Sequence, residues 1–291
     1  MRSLLFVPAD SDRKLAKSGQ SGADVLIYDL EDSVSLERKP AGRELLAAFL
    51  KSAPRGQGSQ HYVRVNALDT GLTLLDLAAV MPVAPHGIVL PKCRGAADIE
   101  KLTRYLEAFE AAHGVNTPTK IIAIATETAD SLAGLDSYRS CDDRLVGLMW
   151  GAEDLSGDIG ALTNKEADGQ TWTTIFEYAR TRCLLAAAAA GVIAIDTVPT
   201  DIHNLAGLKK ETQTAYRDGF SAKAAIHPGQ VPVINECMTP DAATQAWAVK
   251  VIAAFEASTT VGVATLDGKM LDTPHLRLAR KIQAAAKASQ T

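Results

Sequence analysis

Short runs of aliphatic and β-branched residues recur along the chain, separated by stretches with helical periodicity. The runs at 4–8, 25–30, 61–66, 87–91, 121–126, 145–150, 192–198 and 224–227 are mostly near-continuous in apolar residues. Strands buried on both faces of a parallel sheet require that pattern, whereas a half-exposed strand would alternate. Between them, 11–21, 40–51, 96–113, 172–190 and 205–218 read as helices. Pro40 suits the first turn of its helix, where a missing N–H costs nothing. Gly114 and Gly219 follow their helices where a left-handed residue is wanted. Eight strands with intervening helices over roughly 230 residues predict an α/β fold of the (β/α)8 TIM-barrel type, whose typical size is about 250. A doubly wound open sheet also alternates strand and helix, but no GxGxxG follows the first strand.

Residues 241–256 read as the last helix, so the barrel is assigned to 1–257 and a C-terminal extension to 258–291. The extension reads as a turn or short hairpin starting at Val261, then a helix from Pro274 to about Ala288. A barrel closes without this piece. Its expected uses are to cap the active-site face or to pack on a neighbouring subunit.

Composition narrows the class. The 291 residues are 47% hydrophobic and 22% charged, with a formal charge of −4. That is the profile of a soluble globular protein, and it supplies no basic stripe for nucleic acid. Cys93, Cys141, Cys183 and Cys237 lie far apart with no CxxC spacing, which predicts reduced structural thiols and a cytoplasmic setting. The apolar stretch near Met1 is too short for a secretory signal. The longest uncharged run, 183–195, falls well short of the roughly 20 residues that span a membrane.

The polar residues that matter gather at the expected carboxyl ends of strands, the face on which barrel enzymes build their sites. Strand two ends in Asp29, Glu31 and Asp32, strand three carries Arg64 and Asn66, and strand four ends in Pro91 and Lys92. Strand five leads to Glu127, strand six to Glu153 and Asp154, strand seven to Asp196 and Thr197, and strand eight to His227. Glu127 and Asp154 leave neighbouring strands and are expected to hold one Mg²⁺, which accepts one or two protein carboxylates and fills its other positions with water and substrate. The bland alternative makes Asp154 a helix cap and Glu127 an ordinary helix-start acid.

Arg64 sits within an apolar strand, where a core-facing arginine needs a partner. Its fork suits a carboxylate or an enolate oxygen, or else a structural pair with Asp29, Glu31 or Asp32. Lys39 is a candidate partner for the Asp29–Asp32 quartet. Arg13, Lys14 and Lys17 follow strand one and are placed either to meet phosphates at the barrel mouth or to form a solvated helix face. His227, beside Pro228, reads more readily as a hydrogen-bonded structural residue than as a catalyst. Met149, Trp150 and Val198 are candidate pocket walls.

These segments, taken in order, resemble the CitE-like branch of the HpcH/HpaI aldolase family, which includes citrate lyase β subunits and malyl-CoA or citramalyl-CoA lyases. The matching pieces are RSLLFVPA, DVLIYDLEDSV with Lys39, VRVN, GIVLPK, ATET, LMWGAEDLSGDIGA, AIDTV, GFSAKAAIHPGQ and LDTPHLRLAR. The resemblance implies a metal-dependent barrel that makes or breaks a carbon–carbon bond next to a thioester. Glu127 and Asp154 would be the ligands for Mg²⁺, with Mn²⁺ as the alternative ion. Arg64 would bind the substrate oxyanion or carboxylate, with Glu31 and Asp32 in the catalytic group and Lys39 among the substrate-binding residues. CoA would enter as part of the substrate, together with a 2-oxo acid. Asp272 would reach into an adjacent subunit as acid/base, which implies a homotrimer or a hexamer. A thioesterase, a malate-synthase-like condensing enzyme, a CoA-free aldolase, a citryl-carrier-protein lyase subunit and a non-catalytic partner subunit remain the rival outcomes. The chain departs from the family's usual pattern at Pro8-Ala9, where most members have Gly after Pro.

Overall fold

The computed structural model describes residues 1–53, 58–258 and 262–288. Two compact units divide the chain, Met1–Asn235 and Glu236–Thr291.

The first unit alternates strand and helix as expected. In chain order it runs β1 (Ser3–Pro8), α1 (Asp12–Ser18), β2 (Val25–Asp29), α2 (Lys39–Ser52), β3 (Gln60–Arg64), α3 (Thr73–Val80), β4 (Gly87–Leu90) and α4 (Ala96–His113). It continues β5 (Lys120–Ile124), α5 (Ala129–Gly134), β6 (Leu145–Met149), α6 (Glu153–Ile159), α7 (Thr174–Ala190), β7 (Ile193–Asp196), α8 (Leu205–Asp218) and β8 (Ala222–Ala225), and the unit boundary after Asn235 falls within the next helix, α9 (Val231–Cys237). The eight strands are parallel and close in sequence order, β8 pairing with β1 through Ser3–Lys223, Leu4–Ala224 and Leu5–Ala225. The fold is the (β/α)8 barrel that the strand count predicted.

Period-two alternation sorts each strand into two buried faces. Leu4, Val25, Ile27, Tyr62, Val89, Ile122, Ile124, Met149, Ile195, Ala222 and Ala224 form one cluster drawn from all eight strands, the filling of the barrel. Residues of the other parity, such as Leu5, Leu26, Val63, Ile88 and Leu148, are equally buried under the helices. Tyr62 needs a bare neighbour: a Cβ on Gly87 would lie 2.1 Å from its ring.

The second unit holds α10 (Ala242–Ala257), β9 (Val263–Leu266), β10 (Lys269–Asp272) and α11 (Thr273–Ala288). Helix 242–257 therefore groups with the extension, whereas the sequence reading assigned it to the barrel. The reason is a small core of its own, in which Ala248 and Val251 pack with Leu271 and Ala279. β9 and β10 form the hairpin expected there, turning through Asp267 at φ 50° and Gly268 at φ 75°, the twin positive angles of a tight two-residue turn. Val261, with which that reading began, lies outside the described residues. Among the described residues no helix is long and apolar enough to cross a membrane, and none of the four cysteines is in a disulfide.

Candidate metal and substrate site at the barrel mouth

The carboxyl ends of the strands open into a cavity of about 390 Å³ lined by Asp29, Asp32, Arg64, Glu127, Glu153 and Asp154, with apolar walls from Phe6, Ile124, Met149, Trp150, Val198 and Ile226. Arg64 ends β3 facing inward. Its Nε and Nη2 donate to the two oxygens of Asp29, each at 2.7 Å, and Nη1 lies 2.8 Å from Glu31 Oε2. The guanidinium plane also sits over Phe6, 4.9 Å from the ring centroid. Arg64 is paired with Asp29, as one of its two sequence readings had it, and it also lines the cavity.

Glu127 follows β5 and is buried. The helix-start alternative falls to its neighbour, because Thr128 caps α5 by accepting from Ser131 N–H. Glu127 is left for the site, where Oε2 accepts from the Lys92 backbone N–H at 2.5 Å. Asp154 lies in the first turn of α6, but no side-chain cap bond holds that helix start. Its Oδ1 instead meets Lys92 Nζ at 3.0 Å. The same ammonium reaches Glu31 Oε1 at 2.5 Å and Asp32 Oδ2 at 3.6 Å. Lys92 therefore ties together the loops after β2, β4, β5 and β6. Sequence reasoning placed it at a strand end and gave it no role.

Charge at this mouth is unbalanced. Among the described residues, the ion pairs of Asp29, Glu31, Asp32 and Asp154 are with Arg64 and Lys92, and buried Glu127 adds a fifth carboxyl. Burial raises the Glu127 carboxyl to about 8, and the Glu31 charge pushes the same way. Burial also lifts Glu31 to about 7 against the pull of Arg64 and Lys92. Burial alone would raise Asp29 too, but the charge and hydrogen bonds of Arg64 hold it below the usual carboxylate range. Among the described residues no group of three or more His, Cys, Asp or Glu side chains forms a metal cage. Two carboxylates with oxygen donors only, in a cavity with room for water and ligand, nevertheless fit a hard divalent cation such as Mg²⁺.

The other candidates separate. Lys39 turns from the cavity: its Nζ donates to the carbonyls of Leu30 and Glu31, both at 2.9 Å, fastening the loop that carries Glu31 and Asp32. It supports those acids, as the sequence allowed, and makes no part of the cavity wall. Arg13, Lys14 and Lys17 are exposed on α1. Ala9 is fully buried, its N–H on the Asp29 carbonyl. His227 is exposed, and its Nδ1 accepts from Gly229 N–H, the local hydrogen bonding expected of it. Glu153 accepts from Asn164 Nδ2 at 2.9 Å and so steadies the 160–173 loop.

Asp196 differs from its expected place among the site acids. It points outward, accepting from Trp150 Nε1 at 2.6 Å and Lys223 Nζ at 2.7 Å, with Arg180 Nε at 3.4 Å. Thr197, next along, has the inward parity and lines the cavity. Asp272 belongs to the second unit, where its Oδ1 lies 2.6 Å from His275 Nδ1.

An eight-stranded parallel barrel whose mouth concentrates acids around one partly buried arginine defines a class of barrel enzyme site. The chain belongs to the HpcH/HpaI aldolase/citrate lyase family, matched over residues 2–228. The structure of CitE from Mycobacterium tuberculosis in complex with magnesium, acetoacetate and coenzyme A superposes with a TM-score of 0.80 at 33% identity, covering 98% of each chain. A (3S)-malyl-CoA thioesterase from Cereibacter sphaeroides is 31% identical over 99% of this chain and 95% of its own length. The mitochondrial citramalyl-CoA lyase of Rattus norvegicus is 30% identical over 97% and 84% respectively.

Proposed function

We propose that this chain is a Mg²⁺-dependent carbon–carbon lyase that cleaves a malyl-CoA or citramalyl-CoA type thioester into an acyl-CoA and a 2-oxo acid. The observation that carries the reading is the convergence of Glu127, Asp154 and Arg64 on one cavity. Glu127 and Asp154 would hold the ion. The bound cation supplies Lewis acidity toward carboxylate and carbonyl oxygens.

The chain's own residues do the rest. Arg64, fixed by Asp29, presents its edge to a carboxylate or developing oxyanion without having to reorganise. The hydroxyl next to the scissile bond loses its proton, the bond breaks, and the electron pair passes to the acyl-CoA fragment as an enolate that is then protonated. Asp272, from an adjacent subunit of a homotrimer or hexamer, is assigned that acid/base work, so the extension would pack on a neighbour. Arg13, Lys14 and Lys17 would meet the CoA phosphates. Phe6, Ile124, Met149 and Val198 favour an aliphatic substituent on the oxo acid, as in citramalyl-CoA. The working place is the cytoplasm.

Purified protein mixed with a panel of 3-hydroxy thioesters, followed by mass spectrometry, tests this. Acyl-CoA and 2-oxo acid should form only with Mg²⁺ or Mn²⁺, and full activity in excess chelator would overturn the reading. The Cereibacter relative supports a second outcome on the same site, hydrolysis. Free CoA without acyl-CoA identifies it.

A further inference from the structure

Lys92 is one of three non-glycine residues among those described with a positive φ, at 50°. Such a backbone is costly for a lysine and persists where its surroundings demand it. Two demands are visible. The backbone N–H donates to Glu127 Oε2. The side chain turns into the acids, with Nζ 3.0 Å from Asp154 Oδ1 and bonded to Glu31 Oε1. One strained residue therefore orients one expected ligand through its backbone and occupies the other with its charge.

We propose that Lys92 is a tethered counter-cation of the metal site. With no divalent ion bound, its ammonium offsets the mutual repulsion of Asp154, Glu31 and Asp32 and keeps the empty mouth folded. A divalent ion must then share or take Asp154 from it, so Lys92 lowers the affinity for the ion while positioning its ligands. The inference rests on the assignment of Glu127 and Asp154 as the ligand pair. An ordinary ion pair predicts something else: its removal costs stability and leaves metal affinity unchanged.

The test uses the full chain stripped by chelator, titrated with MgCl₂ and MnCl₂ in a calorimeter, and melted with and without EDTA. Lys92→Met removes the charge at similar length. Lys92→Gly removes it with a backbone that accepts positive φ. Both should bind the ion tighter, by about tenfold given a like charge beside the ligand, and melt lower in EDTA with Mg²⁺ restoring the loss. Lys92→Arg should stay near wild type on both measures. Unchanged or weaker binding in both uncharged variants overturns the inference, provided wild type binds and Glu127→Gln abolishes that binding. Wild-type protein that binds no divalent ion overturns the metal assignment itself.

Discussion

Gly151 leaves no space for a side chain beside Glu127: a Cβ at that position would lie 2.9 Å from Glu127 Cγ and 3.3 Å from Ile124 Cγ2. The strand end that delivers Asp154 must be bare so that the carboxylate from the neighbouring strand can cross it. Hydrogen bonds between Gly151 and Thr126 hold the two strand ends together. Gly151→Ala should push Glu127 aside while leaving the barrel intact. A displacement near 1 Å at a reacting site costs on the order of 10²-fold in rate. Turnover of the preferred thioester should fall by about that factor and Mg²⁺ affinity should weaken, with overpacking costing about 1–3 kcal/mol of stability. Unchanged Mg²⁺ titration would show that Glu127 is not held by this contact.

Arg64→Lys keeps the charge and discards the fork. Asp29 would retain one of its two contacts, and nothing would replace the fixed edge presented to substrate. Loss of one such donor costs about 10²–10³ in kcat. Steady-state kinetics should show that loss chiefly in kcat. A change confined to KM would mean that Arg64 only binds the ground state.

The barrel was legible because both faces of every strand are buried, which leaves long apolar runs that a sequence displays plainly. The same property hid the facing of each residue. In Ile195-Asp196-Thr197 nothing in the neighbours says which side is inward, so Asp196 was grouped with the site although its carboxylate lies among Lys223, Arg180 and Trp150. Lys92 was visible as a strand-end lysine, but its left-handed backbone depends on contacts with Glu127, Glu31 and Asp154 from distant segments. The grouping of α10 was illegible for a related reason: Ala248 and Val251 are apolar enough for a barrel helix, and only the structure shows that they pack with Leu271 and Ala279.

Asp196 and Lys223 form a fully buried pair behind the cavity wall, extended by Glu211 at 2.7 Å from Lys223 Nζ. Removing Lys223 leaves Asp196 with Arg180 at 3.4 Å as its remaining cation, so the cost should approach the lower end of the about 3–5 kcal/mol that a broken buried pair carries. Lys223→Met should show that loss in urea unfolding. Because Trp150 donates to the same aspartate and lines the cavity, the variant's Trp fluorescence should change as well. A stability loss below about 1 kcal/mol, the range of exposed pairs, would mean that the pair is solvated in solution.

The raised carboxyls make a pH prediction whose sign can be worked out. Glu127 stands at about 8 and Glu31 at about 7, both above the unfolded value of 4.5. Groups raised on folding contribute stability that is fully present below the unfolded pKa and lost as pH rises through the folded one. Metal-free protein should therefore melt at progressively lower temperature between pH 5 and pH 8, the window set by those values. A divalent ion binds the ionised carboxylates and displaces the protons that burial favours, so its affinity should rise with pH over the same window. The melting-temperature gain from saturating Mg²⁺ should be larger at the top of that window than near its foot. Calorimetry in buffers of different ionisation enthalpy should also detect proton release on binding near neutral pH. Equal Mg²⁺ gains across the window would mean that Glu127 is already ionised in the metal-free fold, with Lys92 and Arg64 supplying the whole of its countercharge.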